Sequence, residues 1–393
     1  MIGPVQDSTK PPAVAGAPRF RRLGLVVGVN AGLIGACLVV LELLLAANAP
    51  SLPPNGEQPD GLYTWGHLVQ VNRLGFRGRE FEVPKPRDVY RVMVLGDSLT
   101  WGAGLSVGER YTDIAEKLLN AGHGREDGSA ISTTGGAADG RPERGPRFEV
   151  LNFGVMGGPT TAERDILRRY ADAVDPDLIV VGFCLNDPQP RSQDYSIERA
   201  RFDRGPGRIS RGAARGLAAL GLTHVGRLVD EGVHRLAEIT GLVPTWQESL
   251  DRTYAEDSPE WSAFVAALAE IRAIATRRGL PPPVFAILNQ GTFTDRPTDY
   301  VHPDSELVIY LRWYHQAEEA ARAAGFITYD HQDEIATRLN DESLAVNVTD
   351  GHPSAHLNQL YAEKLTAAIV AGRASGVDAA LVTSRGASPS PDG

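Results

Sequence analysis

The stretch RVMVLGDSLT, residues 91–100, decides the fold class that this chain is expected to adopt. Its apolar run, Val92–Leu95, is typical of a buried parallel strand. A glycine, an acid and Ser98 follow directly, before a helical pattern begins near Glu109. In an open α/β fold such a turn places side chains at the carboxyl edge of the sheet, where ligands bind. If Ser98 is a nucleophile, later segments must supply a general base and an oxyanion hole.

Segments of strand and helix character alternate along the rest of the chain. Strands separated by helices favour a doubly wound parallel sheet, so the expected fold class is α/β. The predicted strands are Val92–Leu95, Phe148–Leu151, Leu178–Phe183, Val284–Leu288 and Phe326–Tyr329. The predicted helices are Glu109–Asn120, Thr161–Ala173, Trp261–Arg277, Glu306–Ala324 and Ser354–Ala371.

The N-terminal region has the pattern of a membrane anchor. Residues 1–22 are predicted to be a disordered cytoplasmic tail, and residues 23–49 a transmembrane helix. The apolar run from Leu23 to Leu41 would be roughly 28 Å long as a helix, about the thickness of a bilayer core. Three arginines before it orient the N-terminus to the cytoplasm and the remaining chain to the outside. Two alternatives are a signal peptide cleaved after Ala47-Asn48-Ala49, which would release a secreted domain, and a buried helix of a soluble protein.

The remaining chain is predicted to form a linker, one large domain and a tail. Residues 50–71 begin with a Pro-rich stretch and are the predicted linker; residues 72–375 form the domain, and residues 376–393 are a disordered tail. Two insertions interrupt the domain. The Gly- and charge-rich insertion at 121–147 is expected to be a disordered loop. The insertion at 191–259 is partly helical, and is expected either to cap the sheet or to act as a lid that shapes a substrate site.

The segment NRLGFRG, residues 72–78, is a compact Gly-bounded stretch ahead of the first strand of the domain. One interpretation is a structured turn that packs Phe76. The other is that Arg77 lies near an anionic group of a substrate.

The composition excludes several functional classes. The chain of 393 residues is 42% hydrophobic, enough for a sizeable core, and its net charge of -10 offers no basic surface for a nucleic acid. Its two cysteines, Cys37 and Cys184, provide neither a disulfide framework nor a thiolate metal site. The sequence motifs of zincins, zinc ribbons, P-loops and dinucleotide-binding folds do not occur in it. We therefore expect no metal and no cofactor, and nothing in the sequence supports a metal-dependent phosphoesterase.

Three further segments carry residues that complement Ser98. The Gly-rich turn NFGVMGGPTT (152–161) follows the second strand, GFCLND (182–187) ends the third strand, and DGHP (350–353) precedes the last helix. In a doubly wound sheet these segments meet at the same carboxyl edge.

The residue types in these segments match the roles in nucleophilic catalysis. Ser98 can attack a carbonyl once His352 removes its proton, and Asp350 can orient the imidazole and stabilise its positive charge. The backbone N–H groups of Ser98 and Gly157 and the side-chain amide of Asn186 can face the oxyanion that forms.

In this order, the four segments resemble the blocks of the SGNH, or GDSL, hydrolase superfamily. The resemblance covers residues 72–372 in organisation and implies a flavodoxin-like α/β fold with the serine after the first strand. Its members act as esterases, lipases, carbohydrate acetylesterases or acyltransferases. The site residues that it implies are Ser98, Gly157, Asn186 and His352, with Asp350 completing the triad.

The chain departs from the family's pattern at three places. The last block is usually Asp-x-x-His, whereas one residue separates Asp350 from His352, a spacing similar to that of some envelope-polysaccharide members. Gly158 is an alternative to Gly157 as the oxyanion-hole donor, because the two glycines are adjacent. Thr100 stands at the last glycine position of the Gly-x-Ser-x-Gly elbow, which argues against the α/β-hydrolase fold.

The expected function is that of a single-pass membrane protein with an extracytoplasmic serine esterase domain. Its expected substrates are short acyl esters, such as O-acetyl groups on cell-envelope glycans. One alternative is an O-acyltransferase that transfers the acyl group to an envelope polysaccharide. The other is a non-catalytic protein that binds a glycan on the same fold.

Overall fold

The structure, a computed structural model, describes residues 17–122, 146–190, 197–289, 308–329, 334–335 and 344–385. These residues belong to two compact units. The first unit combines Met1–Ser51 with Ile197–Pro244, and the second combines Leu52–Ser196 with Thr245–Gly393. Most of the predicted loop at 121–147 lies outside the described residues, as do residues 1–16, 191–196 and 386–393.

The first unit contains α1 and α5 to α7, and the second contains the other elements. In chain order the elements are α1 (Ala17–Asn48), β1 (Gly56–Gln58), β2 (Gly61–Thr64), β3 (His67–Leu68), β4 (Val89–Gly96), α2 (Ser98–Trp101), α3 (Tyr111–Gly122), β5 (Arg147–Gly154), α4 (Thr160–Val174), β6 (Leu178–Phe183), α5 (Ile197–Arg204), α6 (Pro206–Ala219), α7 (Thr223–Ile239), α8 (Trp246–Thr253), α9 (Pro259–Arg277), β7 (Val284–Ile287), α10 (Val308–Ala323), β8 (Ile327–Tyr329), β9 (Ala345–Asn347), β10 (Asp350–Pro353) and α11 (Ala355–Arg385).

The central sheet of the second unit has five parallel strands in the order β5-β4-β6-β7-β8. Counted by their position in the chain, these strands have the order 2-1-3-4-5, which is that of flavodoxin-like folds. Each strand and each helix predicted for the α/β domain overlaps an element of this unit. The predicted α/β, doubly wound fold class is therefore confirmed.

Alternate residues of β4 supply a hydrophobic core on each face of the sheet. Met93 and Leu95 belong to a core that includes residues of α4, α9 and α10. Val92 and Val94 belong to a second core, which includes residues of α3 and α11. Because both faces are covered by helices, β4 carries a continuous apolar run rather than an alternating one.

The structure corrects the predicted linker at 50–71, because β1, β2 and β3 form a small antiparallel sheet within it. The turn from β2 to β3 consists of Trp65 and Gly66, whose φ angles are 44° and 90°. Positive φ at both residues is what a two-residue type I′ hairpin requires. The Pro-rich start of the segment favoured a linker, although the glycines that follow it mark turns between short strands.

Two predicted helix boundaries are also corrected. The helix α1 begins at Ala17 rather than at residue 23, since arginine and alanine favour helix as the apolar run does. Its segment Val26–Asn48 is long and apolar enough to cross a membrane, a test that a signal sequence also passes. At the other end, α11 continues to Arg385, so a disordered tail does not begin at residue 376. The alanines and leucine of residues 379–381 favour helix there.

The predicted insertion at 191–259 is divided between the two units. The helix α8 belongs to the second unit, where Leu250 and the adjacent Tyr254 join the core that includes α9 and α10. The helices α5, α6 and α7 belong to the first unit together with α1.

The short helix α2 approaches the ends of β4 and β5 so closely that no side chain fits between them. A Cβ atom on Gly96 would lie 2.0 Å from Oγ1 of Thr100, and one on Gly154 would lie 2.3 Å from the backbone nitrogen of Trp101. The two glycines are register partners at the carboxyl ends of their strands. This contact fixes the position of Ser98, the first residue of α2.

We predict that Gly154→Ala lowers the free energy of unfolding by about 1–3 kcal/mol or more, because its Cβ atom would overlap backbone that cannot move away locally. Denaturant unfolding of the full chain in detergent measures the change. Gly78→Ala is the matched control, since no atom lies within 4 Å of a Cβ at that position. Equal stability of the two variants would contradict the close approach.

Candidate active site

Ser98 begins α2 directly after the carboxyl end of β4, and Asp97 caps the helix. Oδ1 of Asp97 accepts a hydrogen bond from the Leu99 N–H at 2.9 Å, and Oδ2 accepts one from the Ser98 hydroxyl at 3.2 Å. Asp97 is fully buried, whereas Ser98 keeps 8% of its surface exposed. The turn therefore holds Ser98 at the sheet edge while Asp97 supports it from inside.

Ser98, His352 and Asp350 form one chain of hydrogen bonds. Oγ of Ser98 lies 2.9 Å from Nε2 of His352, and Nδ1 of His352 lies 2.5 Å from Oδ1 of Asp350. With Nδ1–H donating to the carboxylate, Nε2 is free to accept the single Ser98 hydroxyl proton, and at 2.9 Å it is nearer to Oγ than the alternative acceptor, Oδ2 of Asp97 at 3.2 Å. This is the geometry in which an imidazole can activate a serine. The structure thus brings together the three residues that the sequence grouped.

The hairpin of β9 and β10 accounts for the unusual spacing of the last block. Asp350 and His352 both lie on β10, which pairs with β9 in an antiparallel arrangement. The pairing is irregular between Asp350 and Pro353, and there the Asp350 side chain turns back to His352, so that one intervening residue still leaves the carboxylate in contact with the imidazole. The Asp350 carboxylate also accepts a hydrogen bond from the backbone N–H of His352 at 3.0 Å.

Trp65, in the turn between β2 and β3, is a residue of this site that the sequence analysis missed. Its indole Nε1–H donates a hydrogen bond of 2.5 Å to Oδ2 of Asp350, the oxygen that His352 does not use. Burial alone would raise the pKa of Asp350, but the hydrogen bonds and charge of His352 and the hydrogen bond from Trp65 outweigh it and lower this pKa to about 2. Asp350 is therefore ionised throughout the neutral pH range.

The two candidate oxyanion-hole glycines differ in whether their N–H groups are available. The Gly158 N–H donates to the carbonyl of Val155 at 2.9 Å. Among the described residues, none accepts a hydrogen bond from the N–H of Gly157, whose φ of 61° glycine adopts readily. The geometry thus favours Gly157 over Gly158 as the donor.

Asn186 lies in the turn after β6 and is partly exposed. The turn is closed by a hydrogen bond from the Asp187 N–H to the Cys184 carbonyl at 3.0 Å. The side chain of Asn186 lies close enough to Asp97, the residue before Ser98, to favour the charged form of that carboxyl. Its amide is therefore near the candidate nucleophile, and its role in an oxyanion hole stays a prediction.

Arg77 supports the segment after Ser98 from inside the protein. Its side chain is fully buried, donates to the carbonyls of Gly102 and Leu105 at 2.5 Å each, and lies over the ring of Trp101. Burial and the nearby charge of Arg110 lower the pKa of Arg77 to about 10. These contacts give Arg77 a structural role in place of the alternative role at a substrate anion.

The neighbouring Phe76 packs against Phe153, with ring centroids 4.5 Å apart. This contact confirms the interpretation of residues 72–78 as a turn that packs Phe76.

Three buried carboxyl groups lie close enough to interact behind the site: Asp97, Glu163 of α4, and Asp187. Burial and the charge of Asp97 raise the pKa of Glu163 well above its usual range. Burial and the charges of Glu163 and Asp97 do the same for Asp187. Burial also raises the pKa of Asp97, although hydrogen bonds from Leu99, Asn186 and Ser98 oppose it. In the described part of the chain no group of three or more His, Cys, Asp or Glu side chains is arranged to hold a metal ion.

Comparison with known proteins identifies similar solved structures but no family. No family model matches the chain, and no curated protein matches it. An alpha/beta hydrolase enzyme from the metagenome of Lake Arreo, Spain, is 14% identical, with 71% of this chain and 94% of that chain covered and a TM-score of 0.38.

Two further matches are an aryl esterase from M. smegmatis and a carbohydrate acetylesterase from Sinorhizobium meliloti. Each is 13% identical, covers 72% of this chain and 99% of its own, and has a TM-score of 0.34. The sheet order, the position of Ser98 and the order of the four segments are those that the SGNH/GDSL resemblance implies.

We predict that Glu163→Gln makes the protein more stable relative to wild type as the pH rises from 5 to 8. A carboxyl whose pKa is raised by folding stabilises the fold below its unfolded pKa, and this contribution is lost as the pH rises towards the folded pKa. The amide does not titrate, so the variant escapes this loss.

Urea unfolding of both proteins at each pH measures the difference, and Glu256→Gln, the same change at an exposed position, controls for the lost charge. A difference between Glu163→Gln and wild type that is constant from pH 5 to pH 8 would show that Glu163 has an ordinary pKa in the folded protein.

Proposed function

We propose that this protein is a membrane-anchored serine esterase whose catalytic triad is Ser98, His352 and Asp350. The observation that carries the proposal is the continuous chain of hydrogen bonds from Oγ of Ser98 through the imidazole to the Asp350 carboxylate, 2.9 Å and 2.5 Å long. Its support is that Ser98 lies 254 residues from His352 in the sequence yet contacts it beside the carboxyl end of β4, the edge of the sheet at which α/β folds bind ligands.

In the proposed reaction, Oγ of Ser98 attacks the carbonyl carbon of the ester while Nε2 of His352 takes the hydroxyl proton. The negative charge on the tetrahedral oxygen is stabilised by the N–H groups of Ser98 and Gly157 and the amide of Asn186. The intermediate collapses, the C–O bond to the alcohol breaks, and His352 protonates the leaving oxygen. Water then attacks the acyl-enzyme with His352 as its base, which releases the acid and restores Ser98.

We further propose that the esterase domain is extracytoplasmic and that its substrates are short acyl esters, such as O-acetyl groups on envelope glycans. The proposed location is supported by the length and apolar composition of Val26–Asn48 and by the arginines that precede it. The proposed substrate class is supported by that location together with the motif resemblance, whose members include carbohydrate acetylesterases.

The central test measures hydrolysis of p-nitrophenyl acetate by the full chain in detergent. We predict that Ser98→Ala lowers kcat by at least about a thousand-fold, because loss of a nucleophile removes the covalent pathway. Ser262→Ala, an exposed serine of α9, is the matched control and should keep wild-type turnover. Activity that survives in Ser98→Ala would remove Ser98 from the mechanism.

A fluorophosphonate probe distinguishes the alternatives that remain open. An esterase labels at Ser98 and hydrolyses the ester, whereas an acyltransferase labels but hydrolyses only slowly without its acceptor. A glycan-binding protein on this fold neither labels nor hydrolyses, and that result would contradict the proposal.

We predict that Trp65→Phe lowers kcat roughly 10-fold. The change removes a hydrogen bond to the Asp350 carboxylate, and a hydrogen bond to a charged group contributes about 1.5–3 kcal/mol. We expect about half of this free energy to stabilise the transition state. KM should change little, since Trp65 acts through Asp350. The measurement is steady-state kinetics with p-nitrophenyl acetate. Trp246→Phe, the same change in α8, controls for loss of an indole N–H elsewhere, and an unchanged kcat in Trp65→Phe would exclude a positioning role.

A further inference from the structure

An exposed apolar stripe runs along α7, in the unit that also contains α1. Its helical members lie within roughly a 100° arc of the helix surface, and the three acidic residues of α7 lie outside that arc. A helix in water normally buries such a stripe, so this surface needs an apolar phase or molecule to cover it. The stripe consists of Leu228, Val229, Leu236 and Ile239, which are 39–77% exposed, and is followed by the exposed Leu242.

The helix α6, which packs on α7, adds exposed apolar residues to the same unit. Ile209 on α6 is 75% exposed, and Leu220, in the turn between the two helices, is 78% exposed. The hairpin formed by α6 and α7 therefore presents apolar side chains over its length, including the turn at its end.

The start of α7 is joined to α1 through Glu42, the acidic residue within the apolar segment. Oε1 of Glu42 accepts a hydrogen bond from the backbone N–H of His224 at 3.0 Å and lies 2.8 Å from Nδ1 of its ring. Oε2 accepts a hydrogen bond from the backbone N–H of Val225 at 2.9 Å. The residue before α7 provides no side-chain cap, so a residue of α1 supplies it instead.

This contact sets the level of α7 relative to the apolar segment of α1. Glu42 lies six residues before Asn48, the last residue of α1, which is about 9 Å along a helix. In an anchor with a cytoplasmic N-terminus, that level is where the outer acyl chains meet the headgroups. Val225, bonded to Glu42, lies on the same arc of α7 as Leu236, so the stripe begins beside α1.

The charge of this segment is opposite to that of the whole chain. Residues 197–244 contain eight arginines and five acidic residues, a net charge of +3, whereas the chain as a whole carries -10. Two of the arginines, Arg208 and Arg215, are exposed on α6. Exposed arginines in the same hairpin as an apolar stripe are typical of helices that lie in a membrane interface with anionic lipids.

We propose that the α6–α7 hairpin lies in the outer interface of the bilayer that α1 spans. The stripe on α7 contacts the acyl chains, and the arginines of the hairpin contact anionic headgroups. A second copy of the chain on the same surface would bring like-charged arginines together, which disfavours it as the occupant. The proposal rests on the proposed anchoring by α1 and is independent of the chemistry at Ser98.

The experiment places an environment-sensitive fluorophore on single cysteines of the full chain, reconstituted in phosphatidylcholine–phosphatidylglycerol nanodiscs. Leu236→Cys tests the stripe and Glu231→Cys, at an exposed position outside the arc, is its matched control, both in a Cys37→Ser background. Cys184 is fully buried and does not label. Native Cys37, exposed on α1, is labelled separately and reports on insertion of the anchor.

Two quenchers read out the environment: a nitroxide on the lipid acyl chain and iodide in the buffer. We expect the label at residue 236 to lose fluorescence with the lipid nitroxide and to be protected from iodide, and the label at residue 231 to behave in the opposite way. Nanodiscs without phosphatidylglycerol, or the double change Arg208→Glu and Arg215→Glu, should weaken the lipid quenching at residue 236.

Four results would overturn the proposal. If iodide quenches residues 236 and 231 equally, the stripe faces water. If neither quencher reaches residue 236, a protein covers it instead of lipid. If the lipid nitroxide quenches Cys37 but not residue 236, the anchor stands and only the hairpin proposal fails, whereas an unquenched Cys37 removes the proposed anchoring together with it.

Discussion

The site depends on the close approach of α2 to the ends of β4 and β5, which only glycines at positions 96 and 154 permit. A helix of four residues has no stability of its own, so its place must be fixed by its neighbours. Asn152 donates to the carbonyl of Thr100 at 2.5 Å, and Arg77 holds the carbonyls that follow the helix. The position of Ser98 is therefore determined by the ends of β4 and β5, the side-chain amide of Asn152 and the buried guanidinium of Arg77.

The partners of Ser98 come from two small β elements outside the central sheet. The β9–β10 hairpin carries Asp350 and His352 where its strand pairing is irregular, and the shorter spacing than the usual Asp-x-x-His keeps the hydrogen bond between them. The β2–β3 hairpin brings Trp65 to the carboxylate oxygen that His352 leaves open. Asp350 is thus held on both oxygens, which restricts its rotation and keeps the imidazole in one orientation.

The sequence predicted the parallel sheet and the three residues that form the hydrogen-bonded chain, because strand composition and short motifs are local signals. Trp65 was not predicted because it lies 285 residues from Asp350 in the sequence, and a single tryptophan forms no sequence motif. The start of α7 is likewise joined to α1 by one residue, Glu42, whose partners His224 and Val225 lie 182 and 183 residues away. Glu163 resembles any acidic residue in the first turn of a helix, and only the folded sheet shows that it is buried.

The buried carboxyl groups impose an electrostatic requirement on the proposed chemistry. An oxyanion that forms beside Ser98 is destabilised by negative charge nearby, and burial strengthens that repulsion. Burial raises the pKa of Asp97, but hydrogen bonds from Leu99 and Ser98 and the charge of His352 oppose that rise. The raised pKa values of Glu163 and Asp187 favour their neutral forms, so these two carboxyl groups add little negative charge to the site. A protein that ionised all three would oppose its own transition state, and burial without countercharges is what prevents this.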